Sequence, residues 1–186
     1  MTTEKKRAFS TLDLAYMSLA AALIAVCAWI SIPTAVPFTM QTFAMFFALS
    51  LLGGRRGTLA ILLYILLGCA GLPVFSGFKA GIGVLLGNTG GYIAGFVLAG
   101  LIYWLLVGRL GKKLWAELLA MALGLIACYA LGTAWFMIVY ARANGAVSLG
   151  AVLSWCVLPF ILPDLIKMAL AVIVARRIAP AMRLPA

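Results

Sequence analysis

Histidine is absent from this 186-residue chain, and acids are scarce, with four Asp and Glu against fourteen Lys and Arg. No imidazole is therefore available as a general base, and a zinc site is disfavoured. The four cysteines, Cys27, Cys69, Cys128 and Cys156, stand singly in apolar segments without a Cys-x-x-Cys pair. They read as free, buried, inert thiols. No Walker A pattern occurs: Gly53-Gly54-Arg55-Arg56-Gly57 and Gly108-Arg109-Leu110-Gly111-Lys112-Lys113 have the wrong spacing. If the protein's work costs ATP, another subunit hydrolyses it. Charge is scarce altogether, at 10% of residues against 66% hydrophobic, with a mean hydropathy of +1.19. A water-soluble domain of this length carries far more charge. The composition describes one integral membrane domain, residues 1–186, with no room for a soluble catalytic part and no call for a cofactor. The net charge of +10 does not indicate nucleic acid, because the bases cluster between apolar runs, where membrane topology accounts for them.

What is present is a series of apolar runs. The first ten residues are polar and basic (Lys5, Lys6, Arg7) and are expected to fray. A first span at about 12–32 is longer than the apolar part of a signal peptide and is read as retained. It carries small residues at four-residue spacing, Ser18 with Ala22 and Ala21 with Ala25. Such spacing lets another backbone approach closely, either within the chain or at a subunit interface. Further spans are expected at about 38–52, 58–70, 90–107, 115–139 and 151–175. The second opens with Pro37-Phe38-Thr39-Met40-Gln41-Thr42, whose polar side chains either cap the helix or touch a ligand. Residues 71–95 hold eight of the nineteen glycines, which favours irregular backbone. Near a membrane, such backbone must be buried in protein or line a cavity. The segment 71–89, with Phe75, Lys79, Asn88 and Thr89, is read as a loop folded back over a pocket. Gly91-x-x-x-Gly95 is a close-packing face at the start of the fourth span.

With the amino terminus in the cytoplasm, six spans put Lys5–Arg7, Arg55–Arg56, Arg109–Lys113 and Arg176–Arg183 inside, leaving only Lys79 and Arg142 outside. That asymmetry obeys the positive-inside rule. The sixth span holds Asp164 and Lys167, three residues apart and so on one helical face. Ionisable groups at membrane depth default to a functional reading. Pro163 has no N–H for the Pro159 carbonyl, so the helix is expected to kink or restart there, an arrangement that builds small-molecule sites in broken membrane helices. The competing reading is a mutual ion pair that only makes two buried charges tolerable. Three polar groups then converge on the outer half: Thr39–Gln41–Thr42, Lys79 with Asn88–Thr89, and Asp164–Lys167. Asp164 accepts, the lysines donate, and Tyr92, Phe75 or Trp155 offer faces for a flat ring. The set suits a small, mostly apolar ligand with an N–H edge, a carbonyl and a carboxylate.

Pro37-Phe38-Thr39-Met40-Gln41-Thr42, Gly71-Leu72-Pro73-Val74-Phe75, Gly87-Asn88-Thr89-Gly90-Gly91-Tyr92-x-x-Gly95-Phe96 and Pro163-Asp164-x-x-Lys167 closely resemble the BioY family, the biotin-specific S components of energy-coupling-factor (ECF) transporters. One departure is Asn88, where the family usually has proline. The resemblance implies an all-α membrane protein with the six-helix S-component fold, cytoplasmic termini and an outward-facing biotin site. It implies as partners a transmembrane coupling subunit, contacted by the first helix, and two ATP-binding-cassette ATPases. The roles it suggests are acceptance of the ureido N–H groups by Asp164 and donation to the carbonyl, or charge compensation of Asp164, by Lys167. Asn88, Thr39 or Gln41 would add hydrogen bonds, and Lys79 would cap the carboxylate, with the ends assigned to Lys79 and Lys167 open to reversal. An S component for another vitamin, a self-contained proton-coupled carrier and a membrane enzyme are the alternatives. The carrier is weakened because one acid with a close cation makes a poor relay and Glu4, Asp13 and Glu117 lie near span ends, and the enzyme because no acid–base pair exists beyond Asp164 and Lys167.

Overall fold

The computed structural model describes residues 9–182; the Lys5–Arg7 cluster, most of the stretch expected to fray, and Arg183 lie outside them. The chain is helical almost throughout. Helix α1 (Thr11–Trp29) starts from a capping box: Ser10 Oγ accepts from the Asp13 N–H, and Asp13 Oδ2 accepts from the Ser10 N–H. Reciprocal caps of this kind satisfy two of the amides a helix start leaves orphaned. The connector that follows closes into a two-residue antiparallel ladder, β1 (Ser31–Ile32) on β2 (Phe38–Thr39), with Ser31 opposite Thr39.

The next helical stretch, α2 (Gln41–Cys69), is interrupted at Gly53, where φ is +81° and ψ 172°. Only glycine takes that conformation without strain, and there the chain turns back on itself. Two observations establish the reversal. Gln41 hydrogen-bonds Tyr64, which a continuous helix would place roughly 35 Å away. A Cβ on Gly57 would stand 2.9 Å from Leu49 Cα. So α2 is an antiparallel helical hairpin, and the five stretches long and apolar enough to cross a membrane fold as six helical segments, two of them the halves of α2. Helix α3 (Ile82–Leu86) is a short turn in the glycine-rich segment, followed by α4 (Gly90–Leu110) and α5 (Leu114–Asn144). α4 and α5 pack closely: a Cβ on Gly91 would lie 2.3 Å from Trp135 Cβ, and one on Gly95 2.7 Å from Cys128 Sγ.

The last apolar run is broken, but not at Pro163. Helix α6 (Leu149–Cys156) stops at Val157, and α7 (Leu158–Ile178) runs unbroken through Pro163. The cause is the earlier proline. Pro159 offers no N–H to the Trp155 carbonyl and its ring crowds that carbonyl, whereas at the start of a helix a proline loses nothing. Asp164 and Lys167 therefore sit in the second and third turns of α7 rather than at its start.

α2 is central, packing against α1, α7 and α4, while α4 carries α5. Alternation of the helices separates two poles. One pole holds the α1 start, the Gly53 turn, the α4–α5 turn and the α7 end. Arg56 Nε meets Asp13 Oδ1 there at 2.6 Å, and Arg176 holds the fully buried Glu117, which also accepts from Tyr103. Burying a carboxylate is tolerable only with such partners. The other pole gathers the β ladder, the glycine-rich segment and a cavity.

Candidate functional site

The cavity is walled by the opening of α2, the second half of its hairpin, α4, α5 and α7, and roofed by residues of the glycine-rich segment. Its charged floor is a connected set. Asp164 and Lys167 are 2% and 5% exposed and pair at 2.9 Å. Thr42 Oγ1 donates to Asp164 Oδ1 at 2.8 Å, and the Tyr129 hydroxyl donates to Oδ2 at 2.7 Å. The Lys167 ammonium has three protons and three oxygen acceptors: the Thr39 carbonyl at 2.7 Å, Asp164 Oδ1 at 2.9 Å and Thr42 Oγ1 at 3.3 Å. It also stands 4.1 Å from the centre of the Phe38 ring, whose face attracts a cation. Desolvating an ion pair is expensive, and only such complete partnering repays it.

Beside this floor, Gln41 Nε2 donates to the Tyr64 hydroxyl at 2.9 Å, and the Gln41 N–H donates to Thr39 Oγ1. Tyr92 and Thr133 share a hydrogen bond. The remaining walls are apolar, with Ile93, Phe96, Leu125 and Phe160. The roof is held by local chemistry. Phe75 is buried over Gly68, where a Cβ would fall 2.2 Å from the ring, and stands edge-on to Tyr64. The Phe75 N–H donates to the Lys79 carbonyl, so Lys79 follows the buried ring to the rim. Trp29 Nε1 donates to the Pro73 carbonyl at 2.8 Å and stacks on Phe78; Trp135 Nε1 donates to the Gly87 carbonyl at 2.9 Å. Two indoles, one from α1 and one from α5, thus pin the two ends of the segment.

Of the nine ligand contacts expected from sequence, Thr39, Gln41, Phe75, Lys79, Thr89, Tyr92, Asp164 and Lys167 all line this one cavity. Asn88 does not; it is exposed beside it. Trp155 is also outside, against Tyr140. The four small residues of α1 divide. Ala21 and Ala25 are packed inside the chain, while Ser18 and Ala22 face outward. Sequence reasoning missed Tyr64 and Tyr129, single phenols in apolar runs with no local pattern to mark them. It gave Thr42 no role on Asp164, since that contact spans 122 residues. Among the described residues no three His, Cys, Asp or Glu side chains gather. The site's means are hydrogen bonds, one internally compensated ion pair, aromatic faces and Lys79, which is exposed at the rim and forms no ion pair among the described residues.

Comparison with known proteins matches the model of the BioY family to residues 1–184. A biotin transporter BioY of Thermotoga maritima is 43% identical over 158 residues, covering 84% of this chain and 89% of that one. A probable biotin transporter BioY of Pyrococcus horikoshii is 41% identical over 167 residues, covering 89% and 95%. The crystal structure of an S-component for biotin from an ECF-type ABC transporter superposes with a TM-score of 0.79 at 26% identity, over 97% of this chain and 95% of that one.

Proposed function

The chain belongs to the BioY family, and from that premise we propose that it captures biotin in the cavity at the glycine-rich pole and carries it inward as the S component of an ECF transporter. The observation that carries the reading is the division of labour between two lysines. Lys167 is committed to Asp164, Thr42 and the Thr39 carbonyl, so its donors are spent inside the protein. Lys79, at the rim, is the lining cation left for an anion. Biotin has a ureido ring with two N–H groups and a carbonyl, an apolar fused ring and a carboxylate on a flexible chain. The ureido edge goes to Asp164, with Thr39, Gln41 and Thr89 adding hydrogen bonds. The fused ring lies among Tyr92, Phe75 and their apolar neighbours, and the carboxylate reaches Lys79. Asn88, outside the lining, is not part of the set.

The pole bearing Arg55, Arg56, Arg109, Lys112, Lys113, Arg176 and Arg177 is the cytoplasmic one, as the positive-inside rule requires, with both termini on that side. The partners are a transmembrane coupling subunit and two ATP-binding-cassette ATPases, and the outward face of α1 at Ser18 and Ala22 meets the coupling subunit. Asp164 makes a poor proton relay with an ammonium 2.9 Å away, which favours ATP over a proton gradient as the driving force. The test is mass spectrometry of the small molecule that co-purifies with the protein from cells supplied with mixed vitamins. Biotin is expected; thiamine or riboflavin in its place overturns the substrate assignment.

A further inference from the structure

Helices α5 and α7 face each other across the cavity, yet their backbones hardly meet. Two polar links bridge them. Arg176 on Glu117 lies at the pole away from the cavity; Tyr129 on Asp164 lies in it. A carboxylate offers about four lone-pair positions, two on each oxygen. Both positions on Asp164 Oδ1 are taken, by Thr42 and Lys167, and Tyr129 takes one on Oδ2. A single acceptor position is left, and it is on Oδ2. Where it points depends on the rotation of the carboxylate, a torsion that is intrinsically soft in aspartate. With Oδ1 held from α2 and α7 and Oδ2 held from α5, that rotation is fixed.

We propose that Tyr129 is a positioning residue for ligand recognition: its hydroxyl, donating across the α5–α7 gap, aims the one free acceptor of Asp164 at one N–H of the ligand. This rests on the biotin reading and deepens it, since Asp164 then receives one ureido N–H rather than both. The ring and the hydroxyl have separate duties. Tyr129 also lines a second groove, between α5 and α6, with Ala130, Met137, Leu149 and Leu153, so its bulk stands between the cavity and that groove. Tyr129→Phe keeps the wall and removes only the aim.

The experiment measures the affinity of purified wild-type and Tyr129→Phe protein for biotin and for its two derivatives methylated on one or the other ureido nitrogen. Tyr129→Phe is expected to weaken biotin about tenfold. For the derivative methylated on the nitrogen that faces Oδ2, the substitution changes affinity less than about twofold, because the aimed partner is already gone. For the other derivative the full loss persists. Equal losses for all three ligands, or no loss for biotin, overturn the proposal. Should Tyr129→Phe not be recovered folded, Tyr129→Gln, which keeps a donor, is compared with Tyr129→Leu, which does not; affinity in the Leu variant equal to or above that in the Gln variant overturns it. Wild-type protein that binds another vitamin but not biotin sinks the substrate reading itself, a result distinct from any change at Tyr129.

Discussion

Asp164 and Lys167 are each tolerable in the membrane interior only because of the other and of their neutral partners. Lys167→Met leaves an uncompensated buried carboxylate and is expected to destabilise the purified protein by about 3–5 kcal/mol. The double substitution Asp164→Asn with Lys167→Met removes both charges and is expected to melt closer to wild type than Lys167→Met alone. A double variant that melts below the single one contradicts the pairing. Lys79 behaves differently because it stands in water. Lys79→Ala is expected to weaken biotin about two- to tenfold, more at low salt than at high, and to leave binding of biotin amide unchanged in a parallel titration. The charged members of the site were legible in the sequence because charge in an apolar run is conspicuous. Tyr64, Tyr129 and the role of Thr42 were not, because a hydroxyl in a membrane helix is unremarkable until the helix across the cavity is known. Asn88 is exposed beside the lining rather than in it: a polar residue inside a recognisable block need not face the same way as its neighbours.

At the scale of elements, glycine and proline carried most of the readable signal, with one displacement. Gly53-Gly54-Arg55-Arg56-Gly57 marked the hairpin turn, and it is Gly53 at φ +81° that makes it. Gly91 and Gly95 marked the face that α4 presents to α5, and a ring on either residue would displace α5. For the last span, the break was expected at Pro163, but it is the upstream Pro159 that produced it, since the helix that restarts after Val157 reaches Pro163 with its geometry already set. The pinning of the glycine-rich segment by Trp29 and Trp135 had no local signature; each indole meets a carbonyl more than forty residues away. Trp29→Phe keeps an aromatic face for Phe78 and removes the donor to Pro73. It is expected to raise the hydrogen-exchange rates of amides in 71–81 by about three- to tenfold, as loss of one hydrogen bond of about 1 kcal/mol allows, and to speed biotin release. Unchanged exchange in that segment contradicts a holding role for the indole.

At the scale of the whole molecule, the two poles are built differently: carboxylates held by arginines at one, a cavity with its own aspartate–lysine pair under a pinned roof at the other. The alternation of basic clusters along the sequence was sufficient to anticipate this polarity, because each cluster falls between two apolar runs. It could not say which face of α1 is free, since alanines recur around the helix; packing against α2 consumed Ala21 and Ala25 and left Ser18 and Ala22 outward. Ser18→Leu with Ala22→Leu is accordingly expected to abolish co-purification with the coupling subunit and ATPases while biotin affinity of the isolated protein stays within about twofold; retention of the complex contradicts that interface. The central claim, that the buried pair of α7 exists to hold biotin, is tested most directly by titrating biotin into purified wild-type, Asp164→Asn and Lys167→Ala protein at equal folded concentration. The account predicts that both variants lose at least about a hundredfold in affinity, and near-native affinity in both would contradict it.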